Sequence, residues 1–304
     1  MTAHAPIQSD SRRRIAVIFN PGSGRRNLRK LNRVIGNLRQ AGCELTLLET
    51  THPGHAVELA RDTIKDHPDV IVAAGGDGTL NEVLNGLYGS SIPLAFLPLG
   101  TVNVFAREIG LGTSPEAISR TILEGRKQEI VPGCCNGRHF LLMVSCGLDS
   151  YVVHRVNVKL KRLIGGAAYG VRFLQYMFSY PDMECTVTVD GREYQATSVI
   201  VSRGKLYGGS LVLVPHADLF EPYFQVVMLH KKGLRALLSY SWSFLNRKLW
   251  LRRDVTTLEA REITIRSNHD HPLQMDGDPA GRLPANIHLA DHTITCIIPE
   301  KTPT

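Results

Sequence analysis

A glycine-rich pentapeptide, Gly75-Gly76-Asp77-Gly78-Thr79, follows an apolar run and precedes a helical pattern. Glycine lets the backbone approach a phosphate closely, and a helix N-terminus offers unpaired N–H groups and a positive dipole end. Thr79 adds a hydroxyl donor, while the carboxylate of Asp77 can hold a metal ion or polarise a phosphoryl acceptor. The pentapeptide predicts a phosphate-binding loop, and the alternative is a tight turn capped by Asp77.

A second loop, Asn20-Pro21-Gly22-Ser23-Gly24, has a similar composition and is equally compatible with a simple turn or a phosphate contact. Two familiar nucleotide signatures fail in this chain. The third glycine of GxGxxG is missing after Gly22, and GxxxxGK[ST] does not occur. The sequence therefore disfavours a dinucleotide dehydrogenase and a Walker-type NTPase.

Two carboxylates, Asp276 and Asp278, flank Gly277 late in the chain. Residues two apart in a strand face the same side, so the two carboxylates are expected to share a site in which one pKa is raised. Phosphoryl transfer to a hydroxyl needs a group that accepts the hydroxyl proton, and these residues are the candidates for that role. The alternative for an Asp-Gly-Asp sequence is a surface turn.

The elements that would position these residues change character along the chain. In the first half, apolar runs at 15–19, 45–48, 70–74 and 94–97 alternate with helical patterns. This alternation predicts an α/β fold with a doubly wound parallel sheet that is covered on both faces. Ligands of such sheets bind beyond the carboxyl ends of the strands, so the glycine-rich loops should converge on one rim.

After Pro132 the chain is dominated by short apolar strands, which predict an antiparallel sandwich or barrel with helical insertions. The expected domains are residues 12–135 and 136–296, and residues 297–304 are expected to return to the first domain.

The charge distribution points to polyanionic partners. The net charge is +7, and the stretches 11–43, 150–181 and 222–253 contain basic residues but no acidic ones. Such patches suit a nucleotide, an anionic membrane or a nucleic acid. The last two stretches include helical inserts with aromatic residues, among them Trp242 and Trp250, which suit an anionic membrane surface and equally a solvated basic face over an ordinary core. No nucleic-acid-binding module is recognisable.

Four segments together resemble the catalytic domain of the diacylglycerol kinase family, and they look most like the bacterial lipid kinases related to diacylglycerol and sphingosine kinases. The segments are NPGSG at 20–24, GGDGTLNEVLNGL at 75–87, PLGTVNVFAREIGL at 98–111 and MDGDP at 275–279. The resemblance implies an N-terminal nucleotide domain followed by an antiparallel β-sandwich lipid-binding domain. It also implies an ATP- and Mg²⁺-dependent lipid kinase that transfers the γ-phosphate to a hydroxyl of a diacylglycerol-like lipid.

The resemblance assigns roles to individual residues. The nucleotide contacts that it implies are Asn20, Thr50, Gly75, Gly76, Asp77, Gly78, Thr79, Leu80, Asn81 and Thr101. Asp278 stands where the family has the glutamate that accepts the proton, and Asp276 remains its rival. Asn81 and Glu82 would buttress the loop through side-chain hydrogen bonds.

The resemblance also implies a structural Mg²⁺ site in the segment 217–224. Its ligands would be the side chain of Glu221, which replaces the family's aspartate, and the carbonyl groups of Asp218 and Tyr223. Val104 stands where many relatives have an aspartate that would contact a metal ion or the loop.

Two rival functions come from the same residues. NAD kinases share the GGDGT loop, although the 98–111 segment favours the lipid branch. The altered residues Val104, Glu221 and Asp278 are also compatible with a non-catalytic nucleotide-binding regulatory protein. A nucleic-acid binder is the least favoured alternative.

The expected location is the cytoplasm, with peripheral contact at the inner membrane face. The chain has no apolar run long enough to span a membrane, and its six cysteines form no CxxC pair.

Overall fold

The computed structural model describes residues 12–23, 27–155 and 183–300. Gly24 and most of the basic stretch 150–181 lie outside these residues. The helices are α1 (Leu28–Gln40), α2 (His55–Thr63), α3 (Asp77–Leu87), α4 (Val104–Glu108), α5 (Pro115–Glu124), α6 (Leu148–Arg155) and α7 (Leu234–Leu245).

The strands of the first half and its continuation are β1 (Arg14–Phe19), β2 (Glu44–Glu49), β3 (Val70–Gly75), β4 (Leu94–Pro98), β5 (Arg126–Ile130), β6 (Gly133–Cys135), β7 (Arg138–Phe140) and β8 (Met143–Cys146). The later strands are β9 (Cys185–Val189), β10 (Arg192–Ala196), β11 (Ser198–Ser202), β12 (Leu206–Tyr207), β13 (Leu211–Val212), β14 (Phe224–Leu229), β15 (Val255–Ala260), β16 (Glu262–Arg266), β17 (Pro272–Met275), β18 (Asp278–Arg282), β19 (Ala285–Leu289) and β20 (Ile294–Ile298).

The first sheet has the strand order β2-β1-β3-β4-β20-β5, and β1 to β4 are mutually parallel. Every residue of β3 and β4 is buried, as expected for strands that are covered on both faces. Helix α1 packs against α5, and α2 packs against α3. The predicted doubly wound parallel sheet is confirmed.

The strand order reverses between β1 and β3, which makes their carboxyl ends the topological switch point of the sheet. Ligands of doubly wound sheets bind at this point. The loops that follow β1 and β3 begin at Asn20 and Gly76, so both glycine-rich sequences reach the same rim.

The last strand, β20, returns to the first sheet, where it lies parallel to β4 and antiparallel to β5. The return therefore begins at Ile294 and not at the residue 297 expected from sequence.

The second domain consists of two packed antiparallel sheets. Their orders are β10-β9-β16-β19-β6-β7 and β15-β14-β11-β8-β17-β18. In β9, Cys185, Val187 and Val189 are buried while the threonines between them are half-exposed, as the period of two in a strand requires. Phe140 and Phe224 stack with ring centroids 5.9 Å apart inside the core. The predicted sandwich is confirmed.

Helix α7 lies in the basic stretch 222–253 and is followed there by one 3-10 turn, Leu249–Leu251. None of the helices within the described ranges has the length and apolar character needed to span a bilayer.

Candidate active site

The phosphate loop joins β3 to α3. Helix α3 begins at Asp77, three residues before the helical pattern that follows Thr79 in the sequence, because the extended residue Gly76 (φ −92°, ψ −175°) serves as its N-cap. A Cβ atom on Gly75 would lie 2.3 Å from Oγ1 of Thr79, so only glycine fits there. The amides of a first helical turn have no acceptor in the same helix. The loop therefore has the backbone of an anion-binding turn.

Asn20 and Thr50 lie beside this loop. Nδ2 of Asn20 donates to Oγ1 of Thr79 over 3.1 Å, and Oδ1 of Asn20 accepts from the amide of Gly22 over 2.8 Å. Thr50 is buried, and its amide donates to the carbonyl group of Phe19 over 2.9 Å. The structure therefore brings these two predicted contacts to the rim that carries Thr79.

Asp77 joins the phosphate loop to the next loop along the sheet. Its Oδ2 and Oδ1 atoms accept from the amides of Val104 (2.9 Å) and Phe105 (3.1 Å), so the carboxylate caps helix α4. Nearby, a Cβ atom on Gly100 would lie only 2.7 Å from Cα of Gly76. Thr101 is exposed at the end of this second loop. The metal or phosphoryl contact of Asp77 stays a prediction.

Leu80 and Asn81 point away from the phosphate loop. Leu80 is buried in the core, and its amide donates to the carbonyl group of Gly76 over 3.1 Å. Nδ2 of Asn81 donates to Oδ2 of Asp276 (2.9 Å) and to the carbonyl group of His139 (3.0 Å). Asn81 therefore connects the first domain to the second.

Two more side chains of α3, Glu82 and Asn85, bond to segments other than the phosphate loop, so the expected buttressing of the loop by Glu82 is not observed. The carboxylate of Glu82 accepts from the amides of Gly54 (3.0 Å) and Ala56 (3.2 Å), so it caps helix α2. Nδ2 of Asn85 donates to the carbonyl group of His139 over 2.9 Å. Asn81 and Asn85 are four residues apart, and this polar stripe on one helical face was the signal by which the domain contact could have been predicted.

Asp276 and Gly277 form the hairpin turn between β17 and β18, in which Met275 pairs with Asp278. Both turn residues have positive φ angles, 49° and 86°, as a two-residue hairpin turn requires. The expectation that Asp276 and Asp278 share one face of a strand is therefore wrong, because the chain reverses between them.

The carboxylate of Asp276 is saturated by donors. Oδ1 accepts from the amides of Leu142 (2.9 Å) and Met143 (2.8 Å), and Oδ2 accepts from the amide of Leu141 (3.0 Å) and from Asn81 (2.9 Å). Burial raises the pKa of Asp276 to about 6, and these hydrogen bonds oppose the rise. The side chain fixes the hairpin against the segment 141–143.

Asp278 faces the first domain. Its Oδ2 atom lies 2.5 Å from the position that a Cβ atom on Gly78 would take. The hairpin thus places a carboxylate of the second domain against the first turn of α3. Of the two rivals, Asp278 is the one beside the phosphate loop.

A polar network that sequence reasoning missed lies behind the hairpin. Gln274 accepts from the amide of Gly277 (2.9 Å) and donates to Oγ of Ser145 (2.7 Å). Asp149 accepts from the hydroxyl groups of Ser145 and of Tyr207, the latter over 2.6 Å. Burial, followed by the charge of Asp149, raises the pKa of Tyr207 well above its ordinary value. Nothing in the spacing of these residues could have indicated the network.

The predicted metal ligands lie elsewhere, in the loop 218–223 between β13 and β14. The carbonyl group of Asp218 accepts from the amide of Glu221 over 3.2 Å, and that of Tyr223 accepts from Nη1 of Arg203 over 2.5 Å. The residue Glu221 is exposed. Within the described residues, no three His, Cys, Asp or Glu side chains gather as metal ligands would.

The fold and the site define a two-domain phosphotransferase with a glycine-rich phosphate loop on a parallel sheet and a carboxylate supplied by a β-sandwich. Family comparisons agree. Residues 14–135 match the diacylglycerol kinase catalytic domain, and residues 142–298 match the YegS C-terminal NAD kinase beta sandwich-like domain.

Similar proteins cover nearly the whole chain. A diacylglycerol kinase of Staphylococcus aureus (strain MRSA252) is 31% identical over 92% of this chain and 91% of its own length. One from Staphylococcus carnosus is 29% identical over 92% and 94%. The chain belongs to the diacylglycerol kinase family and is a lipid kinase, a phosphotransferase with an alcohol group as acceptor.

Two crystal structures from Bacillus anthracis, one of them named a diacylglycerol kinase, share the fold. Their TM-scores are 0.79 and 0.72, at 24% and 22% identity. They cover 96% and 95% of this chain, and the matches span 98% and 97% of the Bacillus chains.

Proposed function

We propose that the protein uses ATP with Mg²⁺ to phosphorylate a hydroxyl group of a diacylglycerol-like lipid at an anionic membrane surface. The observation that carries this proposal is the position of Asp278 against Gly78, because it sets a carboxylate beside a phosphate-binding turn. A kinase for alcohols needs these two groups together.

The phosphates of ATP would bind at the N-terminus of α3. The amides of the first turn and the hydroxyl group of Thr79 are the donors there, and Asn20 holds that hydroxyl in place. Mg²⁺ bound with ATP would neutralise phosphate charge, and Asp77 is the carboxylate of the loop that would hold it, because Mg²⁺ prefers oxygen ligands.

Asp278 would accept the proton of the lipid hydroxyl group while the hydroxyl oxygen bonds to the γ-phosphorus. At the same time the bond between the γ-phosphorus and the bridging oxygen of the β-phosphate breaks. ADP then leaves with the bridging oxygen, and the proton on Asp278 returns to solvent. Asp276 would not take this role, because its four hydrogen bonds hold it against the segment 141–143.

The protein would contact the lipid substrate and its membrane through helix α7. One face of this helix is packed through Ala236 and Tyr240, and the opposite face exposes Leu238, Trp242 and Leu245, at 50%, 70% and 62%. Apolar residues at positions i, i+4 and i+7 share one helical face. We name Leu238, Trp242 and Leu245 the α7 apolar face.

Basic residues surround the α7 apolar face. Arg235, Arg247, Lys248 and Arg253 are all exposed. An apolar face with a basic rim suits a membrane that carries negative lipids. Contacts also run from this helix to the catalytic hairpin, because Phe244 packs edgewise on Tyr207 with centroids 5.5 Å apart, and Tyr207 belongs to the network behind Gly277.

The catalytic proposal is tested with labelled ATP and a panel of acceptors: diacylglycerol, monoacylglycerol, ceramide, sphingosine and NAD. We expect Mg²⁺-dependent label in the organic phase with diacylglycerol and none in NADP. Label in NADP alone would show that the acceptor is NAD and not a lipid. NAD is included in the panel because the family model that matches the second domain is described as NAD kinase-like.

The membrane contact is tested by flotation with vesicles of phosphatidylglycerol or of phosphatidylcholine. We expect binding to the anionic vesicles only, and a loss of at least about tenfold in Trp242→Ser, since burying one large apolar side chain contributes roughly 1.5–3 kcal/mol. Leu47→Ser is the matched control, because Leu47 is 47% exposed on β2 in the first domain. If Trp242→Ser and the wild type bind the anionic vesicles equally, helix α7 does not contact the membrane.

A further inference from the structure

Arg203 follows β11 directly and is 1% exposed, among the largest fully buried side chains of the described residues. Its guanidinium group reaches into the loop 218–223. Nη1 donates to the carbonyl groups of Glu221 and Tyr223, each over 2.5 Å, and Nη2 donates to that of Leu219 over 2.9 Å. Three carbonyl groups of one short loop therefore converge on a single buried cation.

The guanidinium group is well suited to this position. It is planar, carries its N–H donors in a fixed fork and is less strongly hydrated than an ammonium group. Burial lowers the pKa of Arg203 to about 10, which still leaves the group charged at neutral pH. The ring of Phe224 lies 5.7 Å from the guanidinium carbon and closes the apolar side.

A cage of carbonyl oxygens ordinarily holds a hard metal cation, and the family resemblance implies Mg²⁺ in this loop. The residues present do not fit it. Of the predicted ligands, the carbonyl group of Asp218 accepts from the amide of Glu221, and that of Tyr223 accepts from Arg203. A divalent ion that shared Tyr223 with a buried guanidinium group would be strongly repelled by it.

The side-chain ligand that the resemblance implies supports the same conclusion. Glu221 is the one carboxylate among the predicted ligands, and the residue is exposed.

We propose that the guanidinium group of Arg203 is the resident cation of the loop 218–223 and that the second domain is assembled without a structural metal ion. The contacts of Arg203 belong to the nucleotide-free protein and do not depend on the acceptor or on ATP.

The arrangement also connects the loop to the catalytic hairpin. The amide of Arg203 donates to the carbonyl group of Leu142 over 2.7 Å, and the amide of Leu142 donates to Asp276 over 2.9 Å. Arg203, which orders the loop 218–223, is thus bonded to the segment 141–143 that holds the hairpin.

The first test measures bound metal and thermal unfolding of the full chain without nucleotide. We expect less than stoichiometric Mg, Mn or Ca after gel filtration, and the same Tm in EDTA and in excess MgCl₂. A structural site filled at about a hundred times its Kd would instead raise Tm by roughly 4 °C. One tightly bound metal ion per chain, or a Tm that falls in EDTA and recovers with Mg²⁺, would overturn the proposal.

The second test exchanges the cation. The double variant Arg203→Met with Glu221→Asp removes the guanidinium group and introduces the aspartate that the family has at this position. We expect Mg²⁺ to raise the Tm of this variant, whereas it should not change the Tm of the wild type. Arg252→Met with Glu221→Asp is the matched control. Arg252, like Arg203, has a guanidinium group that is hydrogen-bonded within the protein, in this case to Asp254 over 2.8 Å, and that lies over an aromatic ring, that of Tyr240. A Mg²⁺ response in the control as well would contradict the role of Arg203.

If the double variant does not fold, the metal content and EDTA response of the wild type still decide the question. Neither readout uses kinase activity, so failure of the proposed function and failure of this inference remain distinguishable.

Discussion

Asp276 and Asp278 belong to the same hairpin, yet their surroundings are opposite. Asp276 lies in the turn and takes four N–H donors from the segment 141–143 and from Asn81. Asp278 opens β18 and sets its carboxylate against Gly78 of the phosphate loop. One carboxylate fixes the hairpin, and the other stands where chemistry is expected. The two residues have the same side chain, so the reversal of the backbone between them separates their roles.

The largest effect is expected from Asp278→Asn. The amide cannot accept the hydroxyl proton, so kcat should fall by ~10²–10⁴-fold in the assay with labelled ATP and diacylglycerol. The Tm should stay close to that of the wild type. Asp278→Glu is the control, since it keeps a carboxylate, and it should retain measurable kcat. A nearly unchanged kcat for Asp278→Asn would show that Asp278 is not the group that accepts the hydroxyl proton.

Asp276→Asn should act on stability instead. Its NH₂ group would face backbone N–H donors, so the free energy of unfolding should fall by about 3 kcal/mol in urea denaturation. The matched control is Asp190→Asn. Asp190 occupies the same position in the β9–β10 hairpin, with φ 44°, and accepts from the amides of Arg261 and Glu262 at an exposed edge. Its loss should cost about 1 kcal/mol.

The pH dependence of stability sharpens the contrast. Because the pKa of Asp276 is about 6 in the fold and 3.8 ordinarily, the folded protein binds more protons between these values. The free energy of unfolding should therefore fall as pH rises from about 4 to about 6, by up to ~3 kcal/mol from this group. Asp276→Asn should lack that component. The opposite result would be a difference in free energy of unfolding between wild type and variant that grows with pH. It would mean that the four hydrogen bonds lower the pKa of Asp276 by more than burial raises it.

The smallest effect is expected from Gly78→Ala. The new methyl group would meet the carboxylate of Asp278, a flexible side-chain end, and displace it, so kcat should fall by roughly tenfold with little change in Tm. Gly36→Ala is the control, because Gly36 is also helical and has no atom within 4 Å of the added carbon. Equal kcat in the two variants would show that Asp278 does not need its observed position.

The parallel sheet could be predicted because β3 and β4 are continuous apolar runs between helical patterns, and periodicity reports burial directly. The phosphate loop was equally accessible, since glycines between an apolar strand and a helix are typical of an anion-binding turn. The start of α3 was misplaced by three residues because the loop glycines continue straight into the helix.

The contacts between distant segments could not be predicted. The turn at Asp276 required knowledge that β17 pairs with β18, and an Asp-Gly pair fits a strand end or a turn equally well. Arg203 follows an apolar strand with no charged neighbour on its N-terminal side, and only the tertiary fold brings the loop 218–223 to it. Sequence patterns report the local environment, whereas both of these roles depend on segments that are remote in the chain.

The position of β20 has a consequence for how the molecule forms during synthesis. The parallel sheet of the first domain is completed by a strand that follows the entire sandwich in the chain and lies between β4 and β5. Until the ribosome has delivered Ile294–Ile298, β5 has no partner in that sheet, and an edge of β4 stays open. The nucleotide domain, although encoded first, would be the last to close.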